Sequence, residues 1–186
     1  MAEATHRLAA LPAERGEGEL FGSHDGRQLR IAVICGRFNA HVTSRLLEGA
    51  LRKLDECGVT EENRVVVWVP GSFELPLAAQ LVAKSGGFDA VVCLGAVIRG
   101  DTAHFEFVAG ECAAGLQRVQ LDTGLPVAFG VLTTENLFQA FERSGGSRGD
   151  KGAESVETAI EMVNVLRDVT ERGASLRSRA RTPLSY

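Results

Sequence analysis

The residues best placed for chemistry lie in one stretch, Gly-Ala-Val-Ile-Arg-Gly-Asp-Thr-Ala-His-Phe-Glu-Phe-Val, from Gly95 to Val108. An apolar run, Ala90 to Leu94, precedes it and reads as a buried strand. Phe105, Val108, Ala109, Cys112, Leu116 and Val119 then recur at helical spacing. The stretch is therefore expected to be a strand-to-helix loop, with Gly95 and Gly100 letting the backbone come close to a ligand. Asp101 or Thr102 is the expected helix cap, and the free N–H groups of a helix start are a natural phosphate site. His104 projects from the first helical turn into the same space. A phosphate cradle with a proton-transfer group at its lip points to chemistry on a small phosphorylated molecule.

One class is excluded by a single position. Gly95 to Thr102 has the Walker A spacing of two glycines before Lys and Ser/Thr, but Asp101 stands where the Lys must be. A carboxylate there repels the phosphates that the Lys would reach, so the chain is not read as an NTPase.

The elements that must position this loop alternate. A strand over 29–35 precedes a turn, Gly36-Arg37-Phe38-Asn39, and a helix whose stripe of Val42, Leu46, Leu47, Ala50, Leu51 and Leu54 stops at Gly58. A second strand over 65–69 ends at Pro70-Gly71, and Pro76 fits its helix only in the first turn, which puts the start near Phe73. A third strand is Ala90 to Leu94. A fourth over 127–132 is followed by a short helix capped by Thr134, a glycine-rich link over 144–149, and a last helix that Gly173 should end. Such alternation implies a three-layer α/β sandwich: a four-stranded parallel, flavodoxin-like sheet with helices on both faces. Residues 1–19 are expected to be a mobile extension, 20–173 a single domain, and 174–186 a basic tail.

Composition agrees with one soluble domain. The chain has 186 residues, 45% hydrophobic and 24% charged, and its net charge of −4 gives no reason to expect nucleic acid or an anionic membrane as partner. No apolar run approaches the roughly 20 residues of a membrane span, and the start lacks the apolar core of a signal peptide, so a cytoplasmic location is expected. The four cysteines and four histidines show no ligand spacing. The thiols are read as small buried apolar groups and no metal is expected.

Ligands of such sheets bind beyond the carboxyl ends of the strands, and the unusual residues fall there. Phe38, an aromatic in a turn, offers a face for a planar ring. Ser72, Phe73 and Glu74 share a helix start, where backbone N–H groups and a carboxylate can read a heterocycle or polyol. Arg143, Arg148 and Lys151 surround the glycine-rich link and could supply the positive charge that the Gly95–Thr102 cradle lacks.

Taken together these segments resemble the lumazine synthase family. The resemblance rests on Gly-Arg-Phe-Asn at 36–39, Pro-Gly-Ser-Phe-Glu-Leu-Pro at 70–76, Gly-Ala-Val-Ile-Arg-Gly-Asp-Thr-Ala-His-Phe at 95–105, Phe-Gly-Val-Leu-Thr at 129–133, and Arg143 with Asp-Lys-Gly at 150–152. It implies condensation of 5-amino-6-ribitylaminouracil with 3,4-dihydroxy-2-butanone 4-phosphate, giving 6,7-dimethyl-8-ribityllumazine, the penultimate step of riboflavin synthesis, with no cofactor. It further implies that Phe38 stacks on the pyrimidine, that Ser72, Phe73 and Glu74 hold the ribityl chain, and that Ala96, Val97 and Ile98 line the ring. Asp101 and Thr102 would meet the phosphate through backbone N–H groups, Arg143 would pair with it, and His104 would move protons. Phe129, Arg143 and Lys151 would reach a neighbouring subunit's site in a homopentamer. The uninserted link over 143–151 is of the length that goes with an icosahedral shell, and riboflavin synthase is a further candidate partner. This sequence departs from the family at Ser147, where Lys is frequent, at Asp150, where Asn is frequent, and at Glu106, where Asp is common. The competing reading is a flavodoxin-like protein that binds FMN without catalysis.

Overall fold

In the computed structural model the described residues are Gly16 and 18–180. The expected N-terminal extension and the end of the basic tail, 181–186, lie almost wholly outside them. Four apolar runs form one parallel sheet in the order β2-β1-β3-β4: β1 (Ile31–Gly36), β2 (Arg64–Val69), β3 (Ala90–Ile98) and β4 (Val127–Thr134). The central strands β1 and β3 are buried on both faces, which is why they read as unbroken apolar runs. Alternate residues serve two cores. Ile31, Val33, Cys35, Val92 and Leu94 pack under α1 (Ala40–Glu56) and α5 (Lys151–Ala180). Ile34, Val91, Cys93 and Val131 pack under α2 (Leu75–Lys84) and α3 (His104–Thr123). The three-layer, flavodoxin-like α/β sandwich is therefore present. After β4 come a short helix, α4 (Leu137–Arg143), and a small antiparallel hairpin of β5 (Ser144–Gly146) and β6 (Gly149–Asp150).

Four boundaries differ from the sequence reading. β3 does not stop at Leu94 but continues to Ile98, paired with β4 through Ile98 and Thr134. Gly95 is a buried strand residue whose missing side chain makes room for Ser72 and Val131 of the protein itself, not for a ligand. Neither Asp101 nor Thr102 caps α3: the cap position is Ala103, which offers no side-chain acceptor. Thr134 closes β4 and donates to the Asn136 carbonyl, while the α4 cap is Asn136, whose side chain accepts from the Gln139 N–H at 3.0 Å. Gly173 does not end α5, which runs to Ala180. A stop needs glycine in the left-handed region, as at Gly58 with φ 83°. Gly173 keeps φ outside it, beside the good helix formers Ala174, Leu176 and Arg177.

Candidate active site

The strand order reverses between β1 and β3, and the turns that leave β1, β2 and β3 are tied to one another there. The Arg37 and Phe38 N–H groups donate to the Val69 and Pro70 carbonyls at 2.8 and 2.9 Å. Asn39, the single non-glycine residue with positive φ among the described residues, donates its side-chain amide to the Ala96 carbonyl at 2.9 Å. A tight left-handed residue before α1 turns the chain so that Phe38 faces outward, 72% exposed.

These turns enclose a cavity of about 700 Å³. Phe38 forms one side. Pro70 to Glu74, including a 3₁₀ turn over Ser72–Glu74, form the second, and Ala96 to Ile98 form the floor at the end of β3. Gly100, Thr102 and His104 close the third side with Phe105, Phe107 and Val108 of α3. The walls are chiefly apolar, with Ser72, Glu74, Thr102 and His104 as the polar groups. That is the usual make-up of a small-molecule site: apolar surface for affinity and a few polar groups for orientation. His104 begins α3, and its N–H has only the distant Thr102 hydroxyl as acceptor, at 3.4 Å. With no side-chain cap, this helix start keeps donors for an anion.

The cavity gathers Phe38, Ser72, Phe73, Glu74, Ala96, Val97, Ile98, Thr102 and His104. Asp101 stands exposed in the same loop but does not line it. Phe129, Arg143 and Lys151 are elsewhere in the chain. Phe129 projects from β4 and is 45% exposed. Arg143, the last residue of α4, donates to the Gln139 carbonyl at 3.0 Å. Around it Arg52 pairs with Asp150 at 2.8 Å, Arg148 with Glu142 at 3.3 Å, and Lys151 with Glu154. No carboxylate among the described residues pairs with Arg143, so it is held in place with its charge available.

The sequence reading passed over Phe107 as a lining residue, although it falls outside the apolar stripe of α3 and is 67% exposed. It also passed over Arg99. This residue donates through Nε to Glu135 at 2.7 Å and through Nη1 to Glu106, and lies 4.2 Å over the Phe105 ring. The Arg99 hydrogen bond holds the Glu106 carboxyl below the usual carboxylate range. Among the described residues no three His, Cys, Asp or Glu side chains gather as a metal site, and no helix is long and apolar enough to cross a membrane.

A parallel α/β sheet whose carboxyl-end crevice carries an exposed aromatic face, a carboxylate and a helix start with a histidine defines an α/β protein with a cavity of small-molecule size beyond the ends of its strands. Comparison with known proteins makes that class specific. Residues 28–167 match the family described as 6,7-dimethyl-8-ribityllumazine synthase. The chain is 57% identical over 143 residues to the protein of that name from Edwardsiella ictaluri, covering 76% of this chain and 92% of the relative. It is 56% identical over 144 residues to the one from Pectobacterium atrosepticum, covering 75% and 91%. It is 50% identical over 149 residues to the one from Protochlamydia amoebophila, covering 80% and 84%. The chain belongs to the 6,7-dimethyl-8-ribityllumazine synthase family.

Proposed function

We propose that the cavity condenses 5-amino-6-ribitylaminouracil with 3,4-dihydroxy-2-butanone 4-phosphate, releasing phosphate and two waters to give 6,7-dimethyl-8-ribityllumazine. The observation that carries this is the convergence of Phe38, Glu74 and the His104 helix start on one apolar cavity. Phe38 stacks on the pyrimidine, with Ala96, Val97 and Ile98 against its edge, and Ser72, Phe73 and Glu74 take the ribityl hydroxyls. The backbone around Asp101 and Thr102 receives the phosphate. The 5-amino group attacks the ketone, and His104 carries protons as water leaves, phosphate is eliminated and the ribitylamino nitrogen closes the ring. Most of the acceleration comes from holding two reactive partners in register.

The site is completed by a second copy. Arg143 supplies the cation for the phosphate, and Phe129 and Lys151 the remaining wall, of a neighbouring subunit's cavity in a homopentamer. That none of the three lines its own chain's cavity supports this. The short hairpin over 144–150 favours closure of pentamers into an icosahedral shell, in the cytoplasm, with riboflavin synthase as the enzyme that takes the product. No cofactor or metal takes part. Mixing the two substrates with the protein in the presence of chelator and following lumazine absorbance tests the reaction. A rate no greater than the uncatalysed background removes it.

A further inference from the structure

Arg99 has no role in the reaction as proposed, yet it is among the most heavily tied side chains near the cavity. Its backbone N–H donates to the Thr134 carbonyl at 2.9 Å, extending the β3–β4 ladder by one bond. Its guanidinium then reaches two separate elements, Glu135 in the turn before α4 and Glu106 in the first turn of α3, with its Cζ 4.2 Å over the Phe105 ring. It does not line the cavity. The segment it anchors does: Gly100 and Thr102 follow it, and His104 and Phe105 begin the helix that Glu106 belongs to. The α3 start has no side-chain cap, and this tether ties its first turn to the end of β3 beside the apolar packing of Phe105 and Val108. Arginine suits this arrangement, since its planar fork offers donors to two carboxylates in different directions where a lysine ammonium has no such fork.

We infer that Arg99 is a positioning residue, which through Glu106 and Glu135 sets where the 100–103 loop and His104 stand in the cavity and makes no contact with the phosphate. The inference rests on the proposed reaction for its kinetic consequence, but the tether itself does not. A different role, attraction of the anionic substrate by the Arg99 charge, predicts the opposite effect for one variant. Glu106→Gln removes a negative charge beside the loop and frees the guanidinium, so an electrostatic role lowers KM for the butanone phosphate. A positioning role raises it.

The test uses the full chain in its assembled form. Arg99→Gln and Glu106→Gln should each raise KM for the butanone phosphate by on the order of tenfold, with KM for the pyrimidine changed less than about twofold. The double variant should be no worse than Arg99→Gln alone, because that change already cuts the Glu106 arm of the tether. Arg99→Lys, which keeps the charge and loses the fork, should share the defect. Both exposed side chains tolerate these changes, and should Arg99→Gln fail to fold, the Lys and Glu106 variants carry the comparison. Amide hydrogen exchange over 100–106, measured without substrate, should quicken in every variant. A lowered or unchanged KM in Glu106→Gln, or unaltered exchange, overturns the positioning role. Should the wild-type protein not turn the substrates over, the proposed reaction falls and the exchange rates alone decide on Arg99.

Discussion

Ser72 occupies the space that a side chain at Gly95 would need: a Cβ built on Gly95 falls 2.5 Å from the Ser72 hydroxyl oxygen, with Leu75 and Val131 at 3.3 Å. The second wall of the cavity is thereby packed directly on the strand backbone that runs on into its floor. Gly95→Ala must turn the Ser72 hydroxyl toward the cavity or push the 3₁₀ turn outward, while Leu75 and Val131 give by a few tenths of an ångström. Overpacking of this kind costs about 1–3 kcal/mol. We expect a lower urea midpoint with unchanged slope and, on the proposed role of this turn in holding the ribityl chain, a raised KM for the pyrimidine. A midpoint equal to that of the wild type would show that the turn gives way freely.

The buried thiols carry a pH dependence. Burial pushes the Cys35 thiol up to about 11 and Cys112 up to about 12, from an ordinary value of 9.0, and raises Cys93 further. Folding therefore holds these protons more tightly than the unfolded chain does. Any stability linked to them is complete below pH 9 and declines as the pH rises through 11 and 12. Chemical unfolding between pH 8 and 11 should show that decline. At pH 8 the native protein should expose at most one fast-reacting thiol to Ellman's reagent, the half-buried Cys57, against four after denaturation. Rapid reaction of Cys35 or Cys93 would mean that the core under α1 or α2 opens readily.

Most of the sheet was legible because its strands are continuous apolar runs, and each site turn followed one. What misled was glycine and threonine read as punctuation. Gly95 lies inside β3 for close packing, Thr134 ends a strand that Asn136 hands on to α4, and Gly173 sits in α5. Local pattern carries no information about a neighbour that arrives from elsewhere in the chain. Asp150 shows this best. In sequence it thins the positive charge around the glycine-rich link, but in space its carboxylate caps α5, accepting from Gly152 and Ala153 N–H at 3.1 and 3.2 Å, and pairs with Arg52 of α1. Its charge is met locally. Arg99 escaped notice for the same reason, since Glu135 lies 36 residues away.

His104 stands at the lip of the cavity, on a helix start, with no side chain holding its ring in the described residues. If orientation of the two substrates supplies most of the rate, His104→Ala should lose on the order of ten- to a hundredfold in kcat, short of the roughly 10²–10⁴ typical when proton transfer dominates. Single-turnover absorbance on a folded variant measures it. Complete loss of activity would move the weight from positioning to proton transfer.

Arg143 should act on one substrate only, because only the butanone carries phosphate. Arg143→Ala is expected to raise KM for the butanone phosphate far more than that for the pyrimidine, with Arg143→Lys intermediate for want of the bidentate geometry. Steady-state titration of each substrate at saturating levels of the other separates the two. Equal changes in both would mark Arg143 as a brace for the hairpin through its bond to the Gln139 carbonyl.

Whether Arg143 serves its own chain or a neighbour is decided by mixing two defective forms. Gly100 lines the cavity and a Cβ there meets nothing within 4 Å, so Gly100→Trp can be accommodated and is expected to obstruct the cavity while leaving Arg143 intact. Arg143→Ala does the reverse. Subunits of the two kinds, unfolded together and co-assembled, regenerate complete sites only where an open cavity meets the Arg143 of a different copy. Turnover above the mean of the separate variants is therefore expected, and no gain would place Arg143 in its own chain's site. Sedimentation of the wild-type protein at neutral pH completes the argument: the short hairpin over 144–150 leads us to expect a particle well beyond pentamer mass. A single species at pentamer mass removes the shell and keeps the shared site, whereas an active monomer removes both.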